Sequence, residues 1–573
     1  MRRNGPRSRA LLLLVLSACT AGQIENAPAQ PWDGSNDPAF PGATGLAGSG
    51  AASGPGTSTG SAGSGASTGS APKPAAATLR KLTVEQYQNS VHDLLGADIK
   101  VADDLEPDTA QNGFFAVGAS NATISPAGAE KLERVAYDVA AQALAPARRA
   151  QLVPCTPAAV SDSSCARKFV QKLGRRAFRR PLTDAELNRY TKLADDSAGA
   201  LKDFHAGLEF ALAGLLQSPN FLFRVELGEP DAKDPARRAY TPFELASRLS
   251  YALWNTTPDD ALLDAAQSGK LDAAGLTTAA DRLLSDARAK SALDNFHVER
   301  LNLGELASLD KDSGVIDMTD GLRAALRDDV LRTFALFAAD GQDFLQVFDS
   351  RTVFVNAELA DVYGLSNRPS NLTRAELGAN VPRLGLLGKP AFLALGAHAT
   401  ETSPTLRGKY IRERVLCQSI PAPPANVVPV LGEPDPSAPT MRDRLRVHAT
   451  DASCSGCHNL MDPLGLALEH FDPIGRYRDT DHGAKLDVTG NLDGEDFDGA
   501  VELARLLRDD PRTAECLVRQ AFRYTLGHVE TAGEEAQIAK LIGEFEKSGH
   551  ALPALLRAIA QSDAFRYAAK ETL

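Results

Sequence analysis

Past its first twenty residues the sequence has no uninterrupted apolar run long enough to cross a bilayer, which excludes a body built from membrane-spanning helices. It also lacks an excess of basic residues: 61 Lys and Arg stand against 73 Asp and Glu, a net charge of -12. Such a surface repels a phosphate backbone, so nucleic acid is not an expected partner. No phosphate loop, Ser–His–Asp set or paired-carboxylate signature stands out. The stretch from Asp487 to Gly499 misses the calcium-loop pattern, because Thr489 and Gly494 do not fall where a ligand and a sharp turn are needed together; it reads as turns. Cysteine is scarce, with seven in 573 residues, so each one asks for an assignment. The balance is that of a globular chain: 43% hydrophobic and 23% charged, with a length that suits three or more folded units.

The N-terminus carries an address. Arg2, Arg3, Arg7 and Arg9 form a positive head, and Ala10 to Leu16 a short apolar stretch. Residues 1–18 therefore read as an export signal, too short for a stable transmembrane helix. Leu16-Ser17-Ala18-Cys19 resembles a bacterial lipobox. That resemblance implies a diacylglyceryl group on Cys19 and a membrane anchor made of lipid alone. An ordinary cleaved signal with an incidental cysteine is the other reading, and it also exports the chain. Thr20, not Asp, follows the cysteine, which by analogy with other lipoproteins points to the outer membrane, on its periplasmic side or at the cell surface. Residues 19–77 are rich in Gly, Ser, Ala, Thr and Pro, cannot bury enough apolar surface to offset ordering entropy, and read as a flexible tether.

From residue 78 the patterning is mainly α. Thr83 with Gln86, Thr183 with Glu186, and Thr241 with Glu244 are capping-box signatures ahead of apolar positions at helical spacing, and Pro242 suits a first helical position. Further helices are expected over 203–217, 243–254, 275–303, 321–338, 405–417, 501–507, 513–525 and 534–546, with few and short strands. Pro421-Ala422-Pro423-Pro424 is an extended break. The run Arg175, Arg176, Arg179 and Arg180 reads as a solvated helix end. His297, in an apolar helix, reads as a hydrogen-bonded core residue.

The sharpest motif is Cys454-Ser455-Gly456-Cys457-His458. Two thiols at this spacing can add to the two vinyl groups on one edge of a porphyrin, and the adjacent imidazole can ligate the iron. The expectation is one covalent c-type haem, with thioethers from Cys454 and Cys457 and His458 as proximal ligand. A zinc site would want a second ligand pair, and no second CxxC exists. A thioredoxin-like pair would want a preceding strand, whereas Met441 to His448 reads as helix. With Cys19 assigned to lipid, Cys155, Cys165, Cys417 and Cys516 remain, an even number that suits two disulfides in an oxidising compartment; Cys155 with Cys165 and Cys417 with Cys516 are the expected pairs, buried free thiols being the other reading of the second. For a sixth iron ligand His448 and His398 come first, ahead of Met441, His470 and His528. Met461, a helical turn after His458, shares the proximal face. An open sixth position is the other option. Arg407 and Lys409 follow a helix start at Ser403-Pro404; a surface role is preferred over contact with haem propionates.

These residues sit in a longer pattern. Thr402-Ser403-Pro404-Thr405-Leu406-Arg407-Gly408-Lys409 precedes the motif, and Met461-Asp462-Pro463-Leu464-Gly465-Leu466-Ala467-Leu468-Glu469 and Phe471-Asp472-Pro473-Ile474-Gly475-Arg476 follow it. Together with Arg175 to Thr183, Ser218 to Leu222, Leu245 to Trp254 and Phe522 to Gly527, the pattern resembles the multidomain cytochrome-like proteins of the DUF1592 group. The resemblance implies helical modules over 78–150 (DUF1587-like), 155–235 (DUF1595-like) and 236–372 (DUF1592-like). It continues with a haem-binding, cytochrome c-like module over 380–490 (DUF1588-like) and a C-terminal module over 491–573 (DUF1585-like). The group has no agreed activity, so the expected role comes from the motif: a membrane-tethered haem protein passing electrons outside the cytoplasm to a redox partner the sequence does not name. The alternatives are a peroxidase- or oxygenase-type enzyme using an open sixth position, and a non-catalytic surface lipoprotein with structural haem or zinc. The anchor is directly testable: Cys19→Ser moves the protein from the membrane fraction to the soluble exported fraction, and a variant that stays with the membrane excludes lipid at Cys19.

Overall fold

The computed structural model describes residues 73–421 and 437–570. The expected signal, Cys19, nearly all of the 19–77 tether and most of the proline break lie outside the described residues. The rest is mainly α. Strand β1 (Thr78–Lys81) leads into α1 (Val84–Leu95) and α2 (Pro126–Ala143). Then follow α3 (Ser163–Ala177), α4 (Asp184–Leu201), α5 (Phe204–Leu216), β2 (Phe223–Glu226) and β3 (Arg237–Ala239). The central stretch holds α6 (Pro242–Trp254), α7 (Asp260–Gln267), α8 (Ala273–Leu284), α9 (Ala287–Arg300), α10 (Asp320–Phe337) and the paired strands β4 (Thr352–Val355) and β5 (Thr373–Glu376). After it come α11 (Pro404–Tyr410), α12 (Met441–Thr450), α13 (Ser455–Leu466) and a hairpin, β6 (Thr489–Leu492) with β7 (Glu495–Asp498). The chain closes with α14 (Gly499–Asp509), α15 (Pro511–Leu526), α16 (Glu535–Lys547), α17 (Leu552–Gln561) and β8 (Tyr567–Ala569). Among the described residues no helix is long and apolar enough to cross a membrane.

The caps decide where helices begin. Thr83, Thr183 and Thr241 accept from the backbone N–H of Gln86, Glu186 and Glu244 at 3.2, 3.2 and 3.3 Å, and those side chains accept in return from the cap N–H groups. The stretch expected as one helix over 275–303 is two, because Asp286 turns extended and caps α9 through the N–H of Arg288 at 2.9 Å. The segment 405–417 changes pitch after Tyr410, where Ile411–Val415 forms a π turn. Asp487 to Gly499, read as turns, holds the β6–β7 hairpin, with Leu492 opposite Glu495 and Thr489 opposite Asp498.

Two cores hold these helices. One is built from α1 to α5, around Val91, Val139, Phe169, Leu208 and Phe221. The other runs from α6 to the end of the chain, around Leu249, Phe334, Phe392, Leu464, Phe522 and Ile559. A knot of charge lies at their seam. Glu226 of β2 is fully buried and meets Arg248 of α6 at 2.6 Å, the neighbouring Arg224 at 2.7 Å and Arg80 of β1 at 3.6 Å. Arg248 also donates to the carbonyl of Phe565 at 3.0 Å, so the end of the chain joins the same knot. β1 pairs antiparallel with β2, and β8 with β3, closing the two ends of the body onto one place.

The arginine run is no solvated helix end. Arg179 is 4% exposed and donates to the carbonyls of Asn220, Phe221 and Phe223 at 2.6, 3.2 and 2.6 Å. Arg180 forks onto Glu186, Arg175 onto Asp264 of α7, and Arg176 reaches the carbonyl of Asp93. Unpaired backbone carbonyls at helix ends are what guanidinium forks satisfy, and a one-dimensional charge pattern does not reveal that. His297 is a core residue: it is buried, accepts from Arg300 Nε at 3.0 Å, and packs on Phe334 and Phe344.

Burial pushes the Glu226 carboxyl up, but Arg224, Arg80 and Arg248 outweigh it and bring it from 4.5 down to about 2. Its contribution to stability is thus complete above the ordinary carboxyl range and is lost as pH falls from 4.5 towards about 2. Glu226→Gln strands three guanidinium groups in the seam; we expect it to cost about 3–5 kcal/mol. Chemical unfolding at neutral pH should show that loss, and the variant should lack part of the parent's destabilisation between pH 4.5 and 2.

Candidate functional site

The CxxCH motif opens α13. Cys454 is its N-cap residue, and its side chain makes no cap bond; its carbonyl accepts from the N–H of Cys457 at 3.2 Å and of His458 at 3.1 Å. Asp451 orders the approach, its carbonyl accepting from Cys454 and Ser455 and its carboxylate from Ser453. The segment before it is a helix, α12, started by Thr440 with Asp443 as a fourth capping box. Cys454 and Cys457 are partly exposed and unbonded, whereas Cys155–Cys165 and Cys417–Cys516 are disulfides.

His458 is oriented by a neighbour. Its Nδ1 lies 2.8 Å from Asp462 Oδ2, one helical turn on, and Asp462 is buried. The other carboxylate oxygen accepts from Thr405 Oγ1 of α11 at 2.7 Å. Nδ1 is therefore engaged, and Nε2 is the nitrogen free for a metal. The ring of His448, in the last turn of α12, stands 4.6 Å from that of His458, centroid to centroid, at 57°. Three large apolar side chains on the same helices face solvent: Val447 at 67%, Leu460 at 41% and Leu406 at 41%.

Behind the site, α11 and α13 cross with their backbones touching. A Cβ on Gly408 would lie 1.8 Å from the carbonyl oxygen of Met461, and one on Gly465 would lie 1.8 Å from that of Pro404. Gly490 of β6 makes a third such approach, to the carbonyl of Pro463. Arg407, expected at the surface, is fully buried under this crossing. It donates to the carbonyls of Leu468, Phe471 and Asp472 at 3.0, 2.9 and 2.9 Å and pairs with buried Glu469 at 3.4 Å. Burial lowers its pKa to about 10, against the pull of Glu469. Arg407 thus holds the end of α13 in place and is not free for a propionate. Lys409, next but one, is the half-exposed residue, 3.8 Å from Glu413. Arg412 of the π turn continues the clamp, donating to the carbonyl of Leu460 at 2.9 Å and to Asp493 at 2.8 Å.

Five family models match successive stretches of the chain, each described as a protein of unknown function: DUF1587 at 80–145, DUF1595 at 165–226, DUF1592 at 240–365, DUF1588 at 383–481 and DUF1585 at 493–565. The chain belongs to the DUF1592 group. A search of curated proteins and one of solved structures returned no match. In this DUF1592-group protein the CxxCH motif, Asp462, Thr405 and the α11–α13 crossing all fall inside the DUF1588 match. Cys417–Cys516 and Arg412–Asp493 tie that stretch to the DUF1585 match.

The other proposed iron ligands lie elsewhere or are engaged. His398 is exposed on a turn whose carbonyl accepts from Lys311 Nζ at 2.8 Å. Met441 is buried, its sulfur accepting from Arg444. His470 packs on Tyr477, His528 pairs with Glu534 at 3.1 Å, and Met461 packs inward on α13. Among the described residues no three of His, Cys, Asp and Glu converge as a protein-built metal cage requires. A porphyrin brings four nitrogens of its own and asks only for an axial ligand, so the donor set fits haem better than zinc. Sequence reasoning gave Asp462 and Thr405 no role. The four-residue step from His458 to Asp462 on one helix was the available signal for the first; nothing in the sequence signalled the second.

Replacing a helical glycine by alanine ordinarily stabilises by about 1 kcal/mol. At Gly465 the backbone contact reverses the sign: Gly465→Ala should destabilise by about 1–3 kcal/mol, read as a lowered thermal midpoint. An unchanged or raised midpoint would contradict the close crossing.

Proposed function

We propose that the protein is an exported, lipid-tethered c-type haem protein that carries electrons outside the cytoplasm. The observation that carries this reading is the opening of α13, where two unbonded thiols sit beside an imidazole whose Nδ1 is already taken by Asp462. Cys454 and Cys457 would hold the porphyrin by thioether bonds and His458 would ligate the iron; the bound group supplies a one-electron redox centre. The remaining work falls to the chain. Asp462 fixes the ring's rotation and, by accepting from Nδ1–H, makes the imidazole a stronger ligand. Thr405 fixes Asp462 from the neighbouring helix.

The cysteine inventory supports the address. Two disulfides call for an oxidising compartment, and the two thiols left unpaired in the body are those of the motif. The lipobox-like Leu16-Ser17-Ala18-Cys19 adds membrane attachment, with an outer-membrane lipoprotein as the reading.

The test is production of the full chain in a host that ligates haem to exported proteins. The pyridine haemochrome spectrum should be that of haem c, with one haem surviving denaturation. Cys457→Ala should lose stable haem retention. Undiminished covalent haem in that variant, or a colourless parent, sinks the assignment.

A further inference from the structure

We infer that His448 is the second axial ligand, so that the iron is held between two imidazoles and has no open position for oxygen or peroxide. The inference rests on the reading of Cys454, Cys457 and His458 as the haem attachment. Its first support is proximity. Among the described residues, His448 is the histidine whose ring packs on that of His458, at 4.6 Å. The second is an unmet demand. His448 Nδ1 is shut off from solvent and has no hydrogen-bond partner. Other histidines have partners: His92 lies 3.0 Å from the carbonyl of Ile99, His458 pairs with Asp462, and His528 with Glu534. Buried His297 keeps one orphan nitrogen, but its other nitrogen is satisfied by Arg300 and its faces are packed by phenylalanines. A polar atom buried without a partner costs about 1–3 kcal/mol, and beside His458 that cost asks for a reason.

The third support is how α12 is fastened. At 4.6 Å the two rings are in contact, so a porphyrin enters only if they part. The first half of α12 is tied to the body. Met441 and Leu445 are buried, Arg442 Nε donates to the carbonyl of Asp487 at 3.0 Å, and Arg444 meets Glu401 at 3.3 Å. Its last turn is loose by comparison: Val447, Ala449 and Thr450 are exposed, and His448 lies among them. The end that carries the imidazole is the end with fewer ties to the rest of the body.

The experiment uses the full chain carrying covalent haem, as parent, His448→Ala, His448→Met and His398→Ala. Denaturing gels stained for haem report attachment separately from ligation. The parent ferric protein should be low-spin by electron paramagnetic resonance and its ferrous form should resist carbon monoxide. His448→Ala should keep its haem, lose the low-spin signal and bind carbon monoxide at once, and added imidazole should restore the low-spin spectrum. His448→Met should raise the midpoint potential, since thioether ligation favours the ferrous state. His398→Ala should match the parent. A high-spin parent, or His448→Ala with haem retained and its low-spin spectrum unchanged, overturns the inference and leaves the attachment standing. No covalent haem in the parent overturns both. Should His448→Ala fail to fold, His448→Met decides alone: an unmoved potential overturns the assignment.

Discussion

Everything at the candidate site hangs on two helices whose backbones touch. Side chains normally keep helix axes 8–10 Å apart, and here glycine on each partner removes that spacer. Gly408 lets the carbonyl of Met461 in, and Gly465 lets in that of Pro404. The close approach is what brings Thr405 of one helix within hydrogen-bonding reach of Asp462 on the other, and Asp462 in turn sets the ring of His458. Beneath the crossing, Arg407 donates to four backbone carbonyls, those of Leu393, Leu468, Phe471 and Asp472. The site is thus positioned by backbone contact and a guanidinium fork, both of which are stiffer than side-chain packing alone.

How much of this was legible in the sequence depends on range. Signals that act within a few residues were readable: the capping boxes at Thr83, Thr183 and Thr241, the helix before the motif, and the motif itself. The family pattern was readable too, because it is a long series of short motifs in fixed order. What failed was anything decided by a distant partner. Arg407 and Arg179 look like surface charges in one dimension and are buried in three, because their partners are carbonyls, which a sequence does not display. Asp286 cuts a helix that the apolar spacing alone runs through, since a cap competes with periodicity and here wins. Thr405 could not be found at all, as its role exists only once two helices 57 residues apart in sequence have met.

The five matched stretches do not behave as beads. They fall within one compact unit, Gly69–Leu573, with two cores between them. Glu226 gathers arginines from β1, β2 and α6, and Lys389, also buried, binds Asp329 of α10 at 2.7 Å and the carbonyl of Thr352 at 3.0 Å. Buried charges of this kind are costly when left unpaired, so they favour one docking of the helices over others. Cysteine is used in the same economical way: Cys417–Cys516 bridges the CxxCH stretch to the C-terminal helices, and Cys155–Cys165 pins a loop to the start of α3.

The closing strand has a mechanical meaning. Ala569 donates to the carbonyl of Ala75 at 2.8 Å, Lys73 donates to that of Gly533 at 3.0 Å, and β8 lies along β3. The residues at which the described body starts are therefore clasped by the residues at which it stops. A load applied through the leading segment reaches this clasp first and must shear backbone hydrogen bonds there before it is felt by α11 or α13.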